Sequence, residues 1–133
     1  MVIVSLSVSL VYAATAEEYL DSGITYYKQG NLSEAISYLA KSIEINPNLA
    51  EVYYIRGSIY VERDNFIQAL SDYNKAIEIN PNFAEAYYDR GVLYGMTKEY
   101  DKAWSDLHKA ESLGQKLEPA FLNALKEASG RDK

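Results

Sequence analysis

Apolar residues recur every three or four positions along most of the chain, which is the spacing of helices that bury one face. In the first such segment this spacing connects Tyr19, Gly23 and Tyr26. After the turn Gln29-Gly30-Asn31 a second apolar stripe follows, made of Leu32, Ala35, Ile36, Leu39, Ile43 and Ile45. The pattern predicts two helices joined by a tight turn.

This two-helix pattern occurs three times at a fixed offset. Gly23, Gly57 and Gly91 lie 34 residues apart. The same offset relates Tyr26 to Tyr60 and Tyr94, Ala35 to Ala69 and Ala103, and Pro47 to Pro81. A helix pair of this length cannot bury its apolar face alone, so consecutive pairs must stack on one another. We therefore predict an all-α solenoid. Its units span residues 16–49, 50–83 and 84–117.

Glycine, asparagine and proline mark where these helices pack and where they end. The repeated glycine lies in mid-helix, where it costs about 1 kcal/mol relative to alanine, so it indicates a close approach of two helix backbones. We expect Ala35, Ala69 and Ala103 to form the facing surface. The second helices are expected to end at a left-handed Asn46 and Asn80, because a proline follows each, and the next asparagine is expected to cap the following helix.

Two charged positions change together between the units. Arg56 and Asp72 of the second unit correspond to Arg90 and Asp106 of the third, whereas the first unit has Ser22 and Tyr38 at these places. The simplest explanation is an ion pair between the two helices of one unit. The alternative is that the second and third units are merely the more recent duplicates.

The first fifteen residues do not fit the repeat. They carry no charge, and the apolar run that they contain is too short for a membrane-spanning helix, which needs about 20 residues. The run resembles the hydrophobic region of a secretory signal peptide with a cleavage site at Ala14-Thr15-Ala16, although the usual positive charge before it is missing. We predict export to the periplasm or the cell exterior. A hydrophobic anchor or an additional packing segment is the alternative, and the chain would then be membrane-associated or cytoplasmic.

Composition argues against several classes of function. The formal net charge is −6 and no basic stripe is visible, which disfavours nucleic acid as a partner. The chain has no cysteine and one histidine, His108, which we expect to be a solvated surface residue. No residues are spaced as a catalytic triad, a phosphate-binding loop or a metal site. We predict no enzymatic activity, no catalytic residue, no cofactor and no metal.

Three in-register copies of one motif make the chain similar to the tetratricopeptide repeat (TPR) proteins. The matching residues are Tyr19, Gly23, Tyr26, Ala35, Leu39, Ser42 and Pro47, then Tyr53, Gly57, Tyr60, Ala69, Tyr73, Ala76 and Pro81, then Tyr87, Gly91, Tyr94, Ala103, Leu107 and Ala110. The third copy departs from the motif, since Gln115 replaces its proline. The resemblance implies a right-handed superhelix closed by a solvating helix within residues 118–133. That helix would place Leu117, Phe121, Leu122 and Leu125 on one face.

The resemblance also implies a concave groove lined by the first helix of each repeat. Helical spacing maps its surface onto Leu20, Asp21, Ile24, Tyr27, Tyr54, Ser58, Val61, Tyr88, Asp89 and Val92. The mapped face is rich in tyrosine at its centre. Its rim has six acids against one lysine, Lys28; the acids are Glu17, Asp21, Glu51, Glu62, Glu85 and Asp89. Tyr53 and Tyr87 are expected to lie in the core, and the alternative is a groove shifted by one residue. Some family members clamp a peptide carboxylate with lysine and asparagine in this groove; apart from Lys28 at the rim these residue types are absent from the face, which disfavours such a partner.

We therefore predict a non-catalytic scaffold that binds another protein or a peptide in this groove. The apolar centre favours apolar anchors, and the acidic rim favours basic residues beside them. A self-associating assembly module of a larger envelope complex is the alternative. A more remote alternative is an enzyme that depends on His108.

Overall fold

A computed structural model describes residues 13–131. Residues 1–12, with most of the predicted signal peptide and the alternative anchor, and residues 132–133 lie outside the described range. Residues 13–131 form seven helices and no strand, which confirms the predicted all-α class. They are α1 (Ala16–Lys28), α2 (Leu32–Ile45), α3 (Ala50–Glu62), α4 (Phe66–Ile79), α5 (Ala84–Met96), α6 (Tyr100–Ser112) and α7 (Pro119–Ser129). Among them, none combines the length and the apolar character needed to cross a bilayer.

The helices stack in pairs as a solenoid. The helix α1 packs along α2, α3 along α4 and α5 along α6, and neighbouring pairs meet through α2 with α3 and α4 with α5. The first helices of the pairs also contact one another in succession, so α1, α3 and α5 form one continuous face. At the end of the array Phe121, Leu122 and Leu125 of α7 cover Trp104 and Leu107. This is the capping role expected of a terminal helix.

The repeated glycines lie where two helices of a pair approach most closely. A Cβ atom on Gly23 would lie 2.7 Å from Leu39 Cδ2, and one on Gly57 would lie 2.9 Å from the ring of Tyr73. Ala35, the predicted partner of Gly23, is fully buried. The atom that it brings near the glycine is its backbone carbonyl oxygen, 3.4 Å from where a Cβ on Gly23 would lie. The space at the glycine is filled instead by the side chain four residues further along the second helix.

The second helices do not end as predicted. Asn46 has φ −135° and ψ 99°, and Asn80 has φ −125° and ψ 92°, so both are extended rather than left-handed. The proline that follows restricts the preceding residue to extended backbone. Each side chain instead accepts a hydrogen bond from a backbone N–H two residues on, at 3.0 Å for Asn48 and 3.1 Å for Asn82. The N-cap residues of α3 and α5 are Leu49 and Phe83. Asn48 and Asn82 therefore do not cap these helices, contrary to the prediction.

The predicted ion pairs are confirmed. Arg56 Nε lies 2.7 Å from Asp72 Oδ2, and Arg90 Nε lies 2.7 Å from Asp106 Oδ2. A second guanidinium nitrogen bonds the other carboxylate oxygen in both pairs, which gives the bidentate geometry that arginine forms with carboxylates. Arg90 also donates to Asn74 Oδ1 at 2.7 Å and so connects the third repeat to the second.

Candidate functional site

The face formed by α1, α3 and α5 carries two adjoining depressions, which together we call the groove. Helical spacing brings Tyr54, Ser58 and Val61 of α3 to this face, because they lie four and three residues apart. The same spacing brings Glu85, Asp89 and Val92 of α5 beside them. The groove is therefore a product of the repeat, since each first helix adds one more row of side chains.

The first depression has a volume of about 230 Å³ and lies towards the C-terminal ends of α3 and α5. We call it the Asp89 pocket. Its lining comprises Tyr27, Ser58, Val61, Glu62, Tyr73, Asp89, Val92, Leu93 and Met96. Five of the predicted groove residues thus meet in one depression: Tyr27, Ser58, Val61, Asp89 and Val92.

The second depression has a volume of about 460 Å³ and lies at the N-terminal ends of the same helices. We call it the Phe83 pocket. Its lining comprises Ala50, Glu51, Tyr54, Ile55, Asn80, Phe83 and Glu85. The rings of Tyr54 and Phe83 pack at a centroid distance of 4.8 Å and form its apolar wall.

The other predicted groove residues lie elsewhere. Leu20 is 8% exposed and belongs to the core with Leu39 and Val52, because the next repeat covers it. Ile24 is half-buried against the same core, and Asp21 is exposed on α1. Tyr88 packs against the cluster of Trp104 and α7, because the capping helix occupies the place that a further repeat would take.

Two aromatic residues of the groove, Tyr73 and Phe83, are not among the predicted groove residues. Tyr73 belongs to the second helix α4 and reaches the Asp89 pocket across Gly57. The corresponding residues of the other repeats are Leu39 and Leu107, so the larger polar side chain at this position was an available signal. Phe83 lies in the linker before α5, where no helical periodicity applies.

Tyrosine hydroxyls bond carboxylates across the repeat boundaries of the groove. The Tyr27 hydroxyl donates to Glu62 Oε1, and the Tyr54 hydroxyl donates to Asp89 Oδ2 at 2.8 Å. Both pairs are 35 residues apart, so each bond connects one repeat to the next. The hydroxyls of Ser58 and Tyr73 lie 3.2 Å apart within the Asp89 pocket.

These surroundings shift the ionisation of the groove residues. Burial, together with the bond to Glu62, raises the pKa of Tyr27 to about 12. Burial also raises the pKa of Tyr54 and of Tyr73, so these hydroxyls remain neutral donors at neutral pH. The pKa of Asp89 is raised by burial, which the bond from Tyr54 opposes only in part.

Asp89 differs from the other partly or fully buried aspartates in its charge partner. Asp72 and Asp106 are each 5% exposed, and each bonds an arginine in a bidentate pair. Within residues 13–131 Asp89 forms no ion pair, and its protein partner is the neutral hydroxyl of Tyr54. The groove thus holds a desolvated carboxylate without a cation.

Histidine and grouped metal ligands are not part of the groove in the described residues. His108 is exposed on α6, with its ring 5.9 Å from that of Trp104, and it does not line either depression. Among residues 13–131 no three or more histidine, aspartate or glutamate side chains are grouped as a metal site. The groove offers apolar walls, tyrosine hydroxyls and negative charge.

Solved structures with the same architecture include a TPR domain bound to a peptide. MamA is 29% identical, with a TM-score of 0.73 over 75% of this chain, which spans 58% of the MamA chain. The first TPR of Spaghetti (RPAP3), bound to the HSP90 peptide SRMEEVD, is 27% identical with a TM-score of 0.78 and coverage of 87% of this chain and 91% of that one. The Arabidopsis OM64 TPR domain is 25% identical with a TM-score of 0.79 and coverage of 85% and 95%.

The sequence itself matches a family model as well. No curated protein shows a significant match to the chain. The TPR repeat model matches residues 23–62 and again residues 57–98, which together make up more than half of the sequence. Since the helix pairs, the glycine positions and the capping helix agree with this match, the chain belongs to the TPR repeat family.

Proposed function

We propose that this protein is a non-catalytic interaction module that holds a segment of another protein in the groove. The observation that carries the proposal is the pair of adjoining depressions on the face of α1, α3 and α5, with apolar and tyrosine walls. Concave apolar sites with a few placed polar groups are the usual places where proteins bind ligands and peptides. Family membership supports the same function, because TPR repeats typically serve as interaction modules.

The charge of the groove supports a partner with basic residues beside its apolar anchors. Both depressions are bordered by carboxylates, namely Glu51 and Glu85 in one and Glu62 and Asp89 in the other. Their linings within residues 13–131 contain no lysine, arginine or histidine. Like charges repel across an interface, so an acidic peptide such as SRMEEVD, which the Spaghetti TPR binds, is expected to bind poorly here.

Capture of partners by matched variants tests the groove. Val61→Arg fills the Asp89 pocket with a bulky positive side chain, whereas Ile67→Arg places the same side chain on α4, where Ile67 is 83% exposed and lines neither depression. A partner retained by the parent protein and by Ile67→Arg but lost by Val61→Arg supports the proposal. Loss with Ile67→Arg alone would assign binding to the other face.

Self-association is the second candidate, and the exposed Ile67 favours it. Large exposed apolar side chains often mark contacts between proteins. Sedimentation equilibrium distinguishes the two candidates, because an oligomer that Ile67→Asp dissociates would support assembly through α4. A monomer at all concentrations supports the groove.

We further propose that the protein is exported, because residues 1–15 resemble a signal peptide. Expression of the full sequence in a bacterium should yield a shortened protein outside the cytoplasm, as N-terminal sequencing would reveal. Recovery of the unprocessed protein from the cytoplasm would contradict export.

A further inference from the structure

We infer that the Asp89 pocket receives a lysine side chain of the bound segment. The inference rests on the proposed function and specifies the partner of the same groove. Its starting point is the unpaired charge: the carboxylate of Asp89 is half-buried, and within residues 13–131 no cation pairs with it. A desolvated carboxylate attracts a cation more strongly than an exposed one, since water screens it less.

The walls of the pocket suit the rest of a lysine side chain. Tyr27, Tyr73 and Val92 line the same depression as the carboxylate. Aromatic faces attract a cation, and aliphatic groups pack against the methylene stem that carries it. The volume of about 230 Å³ leaves room for one long side chain rather than for a helix.

The hydrogen bonds already present in the pocket favour lysine over arginine. The Tyr54 hydroxyl occupies Oδ2 of Asp89, and the Tyr27 hydroxyl occupies Oε1 of Glu62. Each carboxylate therefore has one oxygen without a tyrosine donor. The guanidinium fork of arginine is best satisfied by donating to both oxygens of one carboxylate, whereas the three N–H groups of an ammonium can each donate to a separate oxygen.

The Phe83 pocket sets the position of the lysine relative to an apolar anchor. Tyr54 borders the Phe83 pocket and Val61 borders the Asp89 pocket, seven residues apart on α3. This separation corresponds to about 10 Å along a helix. An extended peptide advances about 3.3 Å per residue, so the lysine and the apolar anchor should be about three residues apart.

Selection from a library of short random peptides displayed on phage tests the inference. The targets are the full-length parent, Asp89→Asn, Asp21→Asn and Val61→Arg, the last of which fills the pocket with a positive side chain. Asparagine retains an oxygen that accepts the Tyr54 bond but removes the charge, and Asp21 is the matched control because it is an exposed acid on α1. Synthetic copies of the selected peptide, carrying lysine, arginine or norleucine at the enriched position, are then titrated by fluorescence anisotropy.

The parent is expected to select peptides with a lysine about three residues from an apolar residue. Norleucine should weaken binding to the parent about tenfold, with arginine between the two. On Asp89→Asn the preference for lysine over norleucine should disappear, and on Asp21→Asn it should persist. Circular dichroism confirms that each variant is folded.

The outcomes separate the two proposals. Peptides that bind the parent and are lost on Val61→Arg, but show no lysine preference or keep it on Asp89→Asn, overturn the lysine pocket and leave the groove function intact. An equal preference for arginine also overturns the assignment of lysine. If no peptide is enriched, or if Val61→Arg binds the selected peptides like the parent, both proposals fail.

Discussion

The rings of Tyr26 and Tyr38 stack with their centroids 5.0 Å apart and their planes 12° from parallel. In the second repeat the corresponding place is filled by Arg56, whose guanidinium lies 5.8 Å from the ring of Tyr53 and 6.0 Å from that of Tyr60. The phenol of Tyr38 thus replaces a guanidinium as the packing partner of the tyrosines in the first repeat. This explains why both members of the ion pair are missing from that repeat together.

The two arrangements should be exchangeable. Tyr38→Asp alone should lower the free energy of unfolding by about 2 kcal/mol, because it removes the stacked ring and adds a carboxylate that lacks the arginine partner of the other repeats. Ser22→Arg together with Tyr38→Asp should recover most of this loss, since it recreates the ion pair of the second repeat. Urea denaturation of the parent, both single variants and the double variant measures the coupling. A double variant no more stable than Tyr38→Asp would contradict the exchange.

Gly57→Ala should destabilise the protein although alanine is the better helix former. The added Cβ would lie 2.9 Å from the ring of Tyr73, and the resulting strain of about 1–3 kcal/mol should exceed a propensity gain of about 1 kcal/mol. Ser71→Ala, on the exposed face of α4, is the control and should change stability little. Thermal melts compare the two, and a stabilised Gly57→Ala would show that the close approach has no energetic consequence.

Lys98→Gly should stabilise the protein. Lys98 has φ 62° in the turn before α6, where the first repeat has Gly30 with φ 78°. Left-handed backbone costs a side-chain-bearing residue about 1–2 kcal/mol, and the flexibility of glycine in the unfolded chain offsets part of the relief, so we expect a net gain of about 0.5–1 kcal/mol.

Two variants control for this substitution. Asp64→Gly, at φ 57° in the second repeat, should gain less because aspartate tolerates this conformation better. Lys75→Gly lies within α4 and should instead lose about 1 kcal/mol. If chemical denaturation shows that Lys98→Gly lowers the free energy of unfolding as Lys75→Gly does, the left-handed turn is not strained.

Asp89→Asn should stabilise the protein increasingly as the pH rises. Burial raises the pKa of Asp89 above its ordinary value, Tyr54 opposes this shift, and Glu85 adds to it, while Tyr27 and Tyr73 face the carboxyl as neutral groups. The native state then holds its proton to higher pH than the unfolded chain. Stability of the parent is consequently lost as the pH rises from the unfolded pKa of about 4 through the native value.

The asparagine variant lacks this loss. Its advantage in unfolding free energy over the parent should grow across that interval and then remain constant, as urea denaturation between about pH 4 and pH 8 would show. Asp21→Asn is the control for the change in net charge. An advantage that shrinks with rising pH would mean that the Asp89 carboxylate stabilises the fold.

In the unprocessed chain, Thr15 should contribute to the stability of α1. Its hydroxyl accepts the N–H of Glu18 at 3.2 Å, and the Glu18 carboxylate accepts the N–H of Thr15 at 2.8 Å, which is a capping box. Thr15→Ala should lower the free energy of unfolding by about 1 kcal/mol, whereas Thr15→Ser should retain it. Hydrogen exchange of the first turn of α1 would report the difference, and equal protection in both variants would contradict the role of the cap.

The repetitive features of the molecule were predictable from sequence because three copies can be compared. The period of the apolar residues identified the helices, and the joint change of Arg56 and Asp72 identified a contact between them. Helical spacing gives the direction of each side chain but does not show which other elements pack against it. Spacing alone therefore assigned Leu20 and Tyr88 to the groove. In the structure the second repeat covers Leu20, and α7 packs against Tyr88.

Other features depend on contacts that have no period. Tyr73 enters the groove from a second helix because Gly57 leaves a gap between the helices, and this requires the packed pair. The extended backbone of Asn46 follows from the ring of Pro47, which restricts its neighbour before any helix cap is considered.

The tyrosine–carboxylate bonds between repeats also have a mechanical consequence. A stack of repeats bends when the angle between neighbours changes, and bonds such as that of Tyr54 with Asp89 span this joint on the face of α1, α3 and α5. Separating neighbouring repeats along this face stretches these bonds directly. A partner that bonds the remaining carboxylate oxygens would further oppose bending at the same repeat boundaries. The bound array should therefore be stiffer than the free one, with no change in its secondary structure.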